Sequence, residues 1–171
     1  MEDWDRAIAA YSKLISDATT EASLLVKRGE AYFATKQFDL ARADWRRAVE
    51  LIPGLAQTQY DRLRQAERWS EAAEFALKLI EQNPEDTLVW LRIAPVLALA
   101  EDPTVYSDFC GRMSQHFAES KTPEIAERVV KASLLRANSI DLAKLPRDLL
   151  AKSLDNRTEA AGFGIRPIGS C

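Results

Sequence analysis

The sequence predicts an all-α protein, a solenoid of antiparallel helix hairpins. Three observations carry this. Ala, Leu, Glu, Arg and Lys dominate the 171 residues, while glycine (6) and proline (7) are sparse, a balance that favours helix. Small and aromatic residues recur at fixed intervals between Leu25 and Pro53. Parts of the same interval set return upstream and downstream, which a lone amphipathic pair would not require.

The best-formed unit comes first. Tyr32 follows Gly29 by three residues, Ala41 follows Tyr32 by nine, Trp45 comes four later, Ala48 three later and Pro53 five later. Leu25 sits four before the glycine. Gly29 and Ala41 suit the close approach of two helices, and Tyr32 and Trp45 fill the space beside them. Pro53 ends the second helix because it lacks an N–H and clashes with the preceding turn. The stretch "TKQFD" supplies the turn, with Asp39 as the expected N-cap.

Recurrence extends the pattern. Thirty-four residues before Ala41 and Trp45 lie Ala7 and Tyr11, so "WDRAIAAYSKLI" reads as a second helix without its first. The expectation is therefore a chain that starts halfway through a repeat. Downstream, Ala72 precedes Pro84 by the twelve residues that separate Ala41 from Pro53. "WSEAAEFALKLIEQNP" is thus another second helix, preceded by a short polar first helix over about 54–66. After Pro84, Trp90, Ile93, Ala94 and Leu97 take first-helix places, and Tyr106, Cys110 and Met113 take second-helix places. Tyr106 is large for a close-approach position, so this pair is expected to splay or shift. Pro95 predicts a kink or a lost hydrogen bond. Beyond Phe117 the pattern weakens. A proline-started helix is expected over 122–135, another from about Pro146, and a loose glycine-rich end after that.

These residues resemble the tetratricopeptide repeat (TPR). Gly29, Tyr32, Ala41 and Pro53 match its pattern, Leu25 and Trp45 stand for its tryptophan and phenylalanine, and Arg28 replaces an apolar residue. The resemblance divides the chain into an array over 1–118, with a half repeat at 3–19, a repeat at 22–55, a degenerate repeat at 56–86 and a repeat at 87–118. Additional helices packing on the array fill 119–157, and 158–171 is a flexible tail. Such an array implies a right-handed superhelix whose concave side is lined by first helices. A narrower resemblance links "VWLRIAPVLALAEDPTVYSDFCGRMSQHF" and "PEIAERVVKASLL" to the TPR-bearing C-terminal regions of planctomycete serine/threonine kinase-like or WD-repeat proteins. It is carried by Trp90, Leu91, Pro95, Leu97, Tyr106, Cys110, Met113, Phe117, Ala126, Val129 and Leu134.

Composition excludes several function classes. With 23 basic and 26 acidic residues the net charge is -3, which argues against a strongly basic nucleic-acid binder. The longest apolar run, Ile93 to Ala100, falls far short of the ~18 residues of a membrane span. "MEDWDRA" is not a secretory signal. Cys110 and Cys171 are far apart without a CxxC, which favours reduced thiols in a cytoplasmic protein.

No catalytic constellation stands out. The phosphate loop, strand lysine, HRD and DFG elements of a kinase are missing from the sequence. Cys110 and His116, the only histidine, lie six apart and do not share a helix face. A buried apolar thiol and an exposed helix-end imidazole are expected there. The pairs Glu71/Glu74 and Asp39/Asp44 are spaced as surface charge. Arginines 42, 46, 47, 62, 64 and 68 are interleaved with Asp44, Glu50, Asp61 and Glu67, which predicts a solvated, salt-bridged face. No enzyme activity, cofactor or metal is expected.

The TPR resemblance implies where a partner would lie. In repeat 22–55 the groove positions are Ser23, Val26, Glu30 and Phe33. In the short repeat they are Gln57, Asp61 and Arg64, and in the third Leu88, Leu91, Pro95 and Ala98. TPR domains that clamp an acidic chaperone C-terminus place Lys and Asn where Val26 and Glu30 stand, which argues against that ligand. Val26, Phe33, Leu88 and Leu91 suit an apolar or amphipathic segment. The expected function is a non-catalytic protein–protein interaction scaffold. The alternative is an accessory segment of a larger kinase-related signalling protein. Self-association through Ala7, Ile8, Tyr11, Leu14 and Ile15 of the half repeat is a third option.

Overall fold

A computed structural model describes residues 3–16, 21–141, 143, 145, 146 and 151. Among them are eight α-helices and no strand. They are α1 (Trp4–Ser16), α2 (Ala22–Ala34), α3 (Phe38–Leu51), α4 (Ala56–Gln65), α5 (Trp69–Gln82), α6 (Thr87–Leu99), α7 (Pro103–His116) and α8 (Pro123–Ser133). A 3-10 turn, Pro53–Leu55, precedes α4. The chain divides into two compact units, Met1–Gln82 and Asn83–Cys171. The helix expected from Pro146 and the tail expected over 158–171 lie outside the described residues, apart from Pro146 and Ala151.

In the first unit, α2 pairs with α3, α4 pairs with α5, and α1 packs on α2. Leu25, Ala41, Trp45 and Ala48 are fully buried, which is the packing the interval pattern requires. Gly29 has a specific partner. A Cβ built there would overlap Nε1 of Trp45 and come within 2.6 Å of its Cδ1. The indole also donates from Nε1 to the Val26 carbonyl at 3.3 Å. The small residue is therefore required by one aromatic ring.

The α2–α3 turn corrects one expectation. Lys36 adopts φ 62°, the left-handed region. Its N–H donates to the Phe33 carbonyl at 3.0 Å and that of Gln37 to the Tyr32 carbonyl at 2.8 Å. This is a Schellman closure, which satisfies the last carbonyls of α2. It starts α3 two residues earlier than "TKQFD" suggested, so Gln37 and not Asp39 occupies the N-cap. Asp39 lies in the first turn, where a carboxylate complements the helix dipole, and pairs with Arg42 at 3.2 Å. The α4–α5 turn repeats the device. Glu67 has φ 57°, its N–H donates to Arg64 at 3.1 Å, and Arg68 donates to Leu63 at 2.9 Å.

Lys36 and Glu67 are 31 residues apart. The same step carries Gly29 onto Tyr60 and Trp45 onto Ala76, and both are buried. In α4–α5 the first helix therefore carries the large side chain and the second the small one. The exchange conserves volume, which packing tolerates and a residue-by-residue pattern does not detect.

Arg28, the departure from the repeat pattern, is explained by α3. Its Nε and Nη2 each donate to the Asp44 carboxylate at 2.7 Å, and Nη1 donates to Ser12 Oγ at 3.2 Å. The arginine joins α1, α2 and α3. Asp44, expected on a solvent face, is 7% exposed because its carboxylate turns inward to this guanidinium. The bidentate bond raises the Arg28 pKa further above its ordinary high range.

In the second unit α6 packs on both α7 and α8, more extensively on α8. Tyr106 is fully buried. Its hydroxyl donates to the Ala132 carbonyl at 2.6 Å and accepts from Leu135 N at 3.0 Å. The bulk at the close-approach place thus reaches across to α8. Asp86 caps α6 and Asp102 caps α7, each accepting from the backbone N–H two residues on at 2.9 Å. Pro95 lies inside α6 with its side chain exposed, and the helix continues to Leu99.

Candidate partner-binding surfaces

Within the first unit, α2 carries the groove positions Val26, Glu30 and Phe33, and α4 carries Asp61 and Arg64. Val26 is half-buried and packs on the cluster of Ala22, Leu25 and Ala48. Phe33 is also half-buried, with ring centroids 5.3 Å from Phe38 and 5.4 Å from Trp45. Both side chains support the hairpin and leave one side toward solvent. Glu30 accepts from Arg62 Nη2 at 2.6 Å, an ion pair between α2 and α4. Asp61 accepts from Gln57 at 2.7 Å and lies 3.7 Å from Arg64 Nε, whose side chain is solvent-exposed.

Arg62, expected on the salt-bridged face, is not one of the groove positions. Besides holding Glu30, its guanidinium lies over the Trp45 ring at 5.3 Å from the centroid. The arginine is thereby fixed from two sides. Its spacing of 32 residues from Glu30, close to one repeat length, was the only sequence signal for the pair.

Four further groove positions lie on α6 of the second unit. Leu88 is 55% exposed, Leu91 is half-buried, Pro95 is exposed and Ala98 is half-buried. They follow one another at intervals of three and four, so they share one helix face. Trp90, Ile93, Ala94 and Leu97 turn the other way and are buried.

The arginine-rich region is an ion-paired face. Arg46 pairs with Glu74, Arg62 with Glu30, Arg64 with Asp61, Arg68 with Glu71 and Arg42 with Asp39. Of the acids expected to be interleaved, only Asp61 is a partner in these bonds. The others come from the neighbouring helix or one turn away.

Cys110 is fully buried, and burial pushes its thiol pKa up, against bonds to Tyr106 and Ser133 that lower it. Such a thiol is a poor nucleophile. His116 ends α7 and is exposed. It stacks on Trp90 with centroids 5.9 Å apart, and its Nε2 lies 2.9 Å from Glu85 Oε1. No group of three or more metal-ligating side chains gathers among the described residues. No helix among them is long and apolar enough to cross a membrane.

No curated protein matches the chain. Residues 22–55, which form the α2–α3 hairpin and the 3-10 turn Pro53–Leu55, match the model of the tetratricopeptide repeat.

Proposed function

We propose that the chain is a non-catalytic protein–protein interaction module. The observation that carries this is the repeat match over 22–55, realised as a hairpin whose repeat-pattern positions serve packing and whose first helix leaves side chains toward solvent. TPR repeats generally mediate protein–protein contacts. In the finer reading, a peptide or helix lies along the first-helix side. Val26, Glu30, Phe33, Asp61 and Arg64 are the contact residues of the first unit, and Leu88 and Leu91 those of the second, each unit taken by itself. Exposed leucine on α6 favours an apolar or amphipathic partner. A cytoplasmic setting belongs to the same reading and rests on the cysteine pattern.

Leu88→Glu is the direct test, because the side chain is exposed and its loss leaves the core intact. A partner retained by the purified chain should bind at least about tenfold more weakly to this variant, with helicity unchanged by circular dichroism. Asp61→Lys should also weaken it. Unchanged binding of both variants would remove the first-helix reading.

The alternative, an accessory segment of a kinase-related signalling protein, rests on the sequence resemblance of 89–117 and 123–135. A reading frame upstream of Met1 lacking kinase or WD-repeat sequence would end it. Self-association through α1 is favoured by Leu14, which is 51% exposed. Sedimentation showing only monomer at high concentration would count against it.

A further inference from the structure

We propose that the cleft between α3 and α5 is a second docking surface, and that it receives an arginine or lysine side chain from a basic segment of a partner protein. The cleft holds roughly 400 Å³ and is built by second helices, so it is separate from the first-helix surface above. Its floor is apolar. Val49 and Phe75 line it from the two helices, and the exposed Pro53 ring flanks them.

The rim is charged, with three carboxylates against two cations. Arg46 is already held by Glu74, with Nη2 to Oε2 at 2.9 Å, and Lys78 by Glu81 at 2.8 Å. Glu50 is exposed and makes no ion pair among the described residues. It acts on Arg46 and Lys78 only through space. One negative charge is left over beside an apolar floor.

This combination selects the occupant. A wholly apolar side chain would cover the rim charges and return nothing for their lost hydration. An acidic side chain would face Glu50 and Glu81. A long cation meets both demands: its aliphatic stem lies on the floor and its head reaches the Glu50 carboxylate. Charge complementarity of this kind governs register and on-rate more than affinity, so the contact is expected to be weak and salt-sensitive.

The test uses the ¹⁵N-labelled full chain. It is titrated with a helix-forming alanine peptide carrying two arginines one turn apart, and with its twin in which both are glutamine. Saturating shifts are expected at the amides of Val49, Glu50 and Lys78 with the arginine peptide only. Glu50→Gln, which breaks no ion pair, should weaken binding about threefold, and added salt should do the same. Three results would overturn the proposal: equal shifts with the glutamine peptide, no shifts at these amides, or shifts confined to α2 and α4. Sedimentation showing a dimer that Glu50→Gln dissociates would assign the cleft to a second copy and overturn it as well.

Discussion

The Trp45 indole lies against the α2 backbone at Gly29, where any Cβ would overlap its Nε1. An alanine in a helix interior is ordinarily worth up to about 1 kcal/mol over glycine. Here the ring cannot retreat without leaving the Val26 carbonyl and the Phe33 and Arg62 contacts. Gly29→Ala should therefore destabilise the first unit by about 1–3 kcal/mol. Chemical denaturation checks this, and a gain in stability would show that the indole has room to move.

Arg28 and Asp44 form a bidentate pair that crosses from α2 to α3, and Arg28 also holds α1 through Ser12. Asp44→Ala leaves a guanidinium that is only 19% exposed without its carboxylate. The expected loss is about 2–3 kcal/mol, below the cost for a fully dry pair because some solvent reaches the arginine. Hydrogen exchange in α1 should accelerate along with that in α2 and α3. Protection of α1 unchanged by the variant would mean the arginine does not couple the three helices.

Lys36 and Glu67 close their helices in the left-handed region. Glycine adopts that conformation without the Cβ penalty. Lys36→Gly and Glu67→Gly should each stabilise by about 0.5–1 kcal/mol. Thermal melts of the single variants and the double variant check both the sign and the additivity.

Gln59 is fully buried, and neither its amide oxygen nor its nitrogen has a hydrogen-bond partner. It occupies, 31 residues on, the place where Arg28 finds Asp44. The matching place on α5 is Phe75, which offers no carboxylate. Gln59→Leu should raise stability by about 1 kcal/mol, since an unsatisfied buried amide costs about 1–3 kcal/mol. A lower melting temperature would point to a bound water that the leucine expels.

Burial raises the pKa of Cys110 and, more strongly, that of Tyr106. Both groups are neutral when protonated, so the folded state binds their protons more tightly than the unfolded chain. Their contribution is complete below the unfolded values, about 8.5 for a thiol and about 10 for a phenol. It is lost as pH rises past each. Stability measured between neutral and strongly alkaline pH should fall in that window, and Cys110→Ala should remove the earlier part of the decline. An unchanged profile in the variant would exclude the thiol as its source.

Much of this was legible from residue types and intervals. The interval places from Leu25 to Pro53, the second helix carrying Ala72, a first helix at Trp90 and the proline-started α8 follow from local propensity and period. These are properties of one segment at a time. The buried thiol at Cys110 and the exposed ring at His116 followed from their places in the same period.

What the tertiary structure alone decided concerns pairs of residues far apart in the chain. The sequence read Arg28 as a lost apolar contact and Asp44 as surface charge; only the docking of α3 on α2, with α1 alongside, makes them one buried ion pair. The α4–α5 hairpin read as degenerate because the large and small residues had changed helices, and packing depends on summed volume rather than on which helix supplies it. Asp39 lost the N-cap to Gln37 because a backbone closure at Lys36, not a side chain, set the helix start. Arg62, and the charge left over at Glu50, emerge only when neighbouring helices bring acids and bases together, since an ion pair is defined by distance in space and the sequence records only distance along the chain.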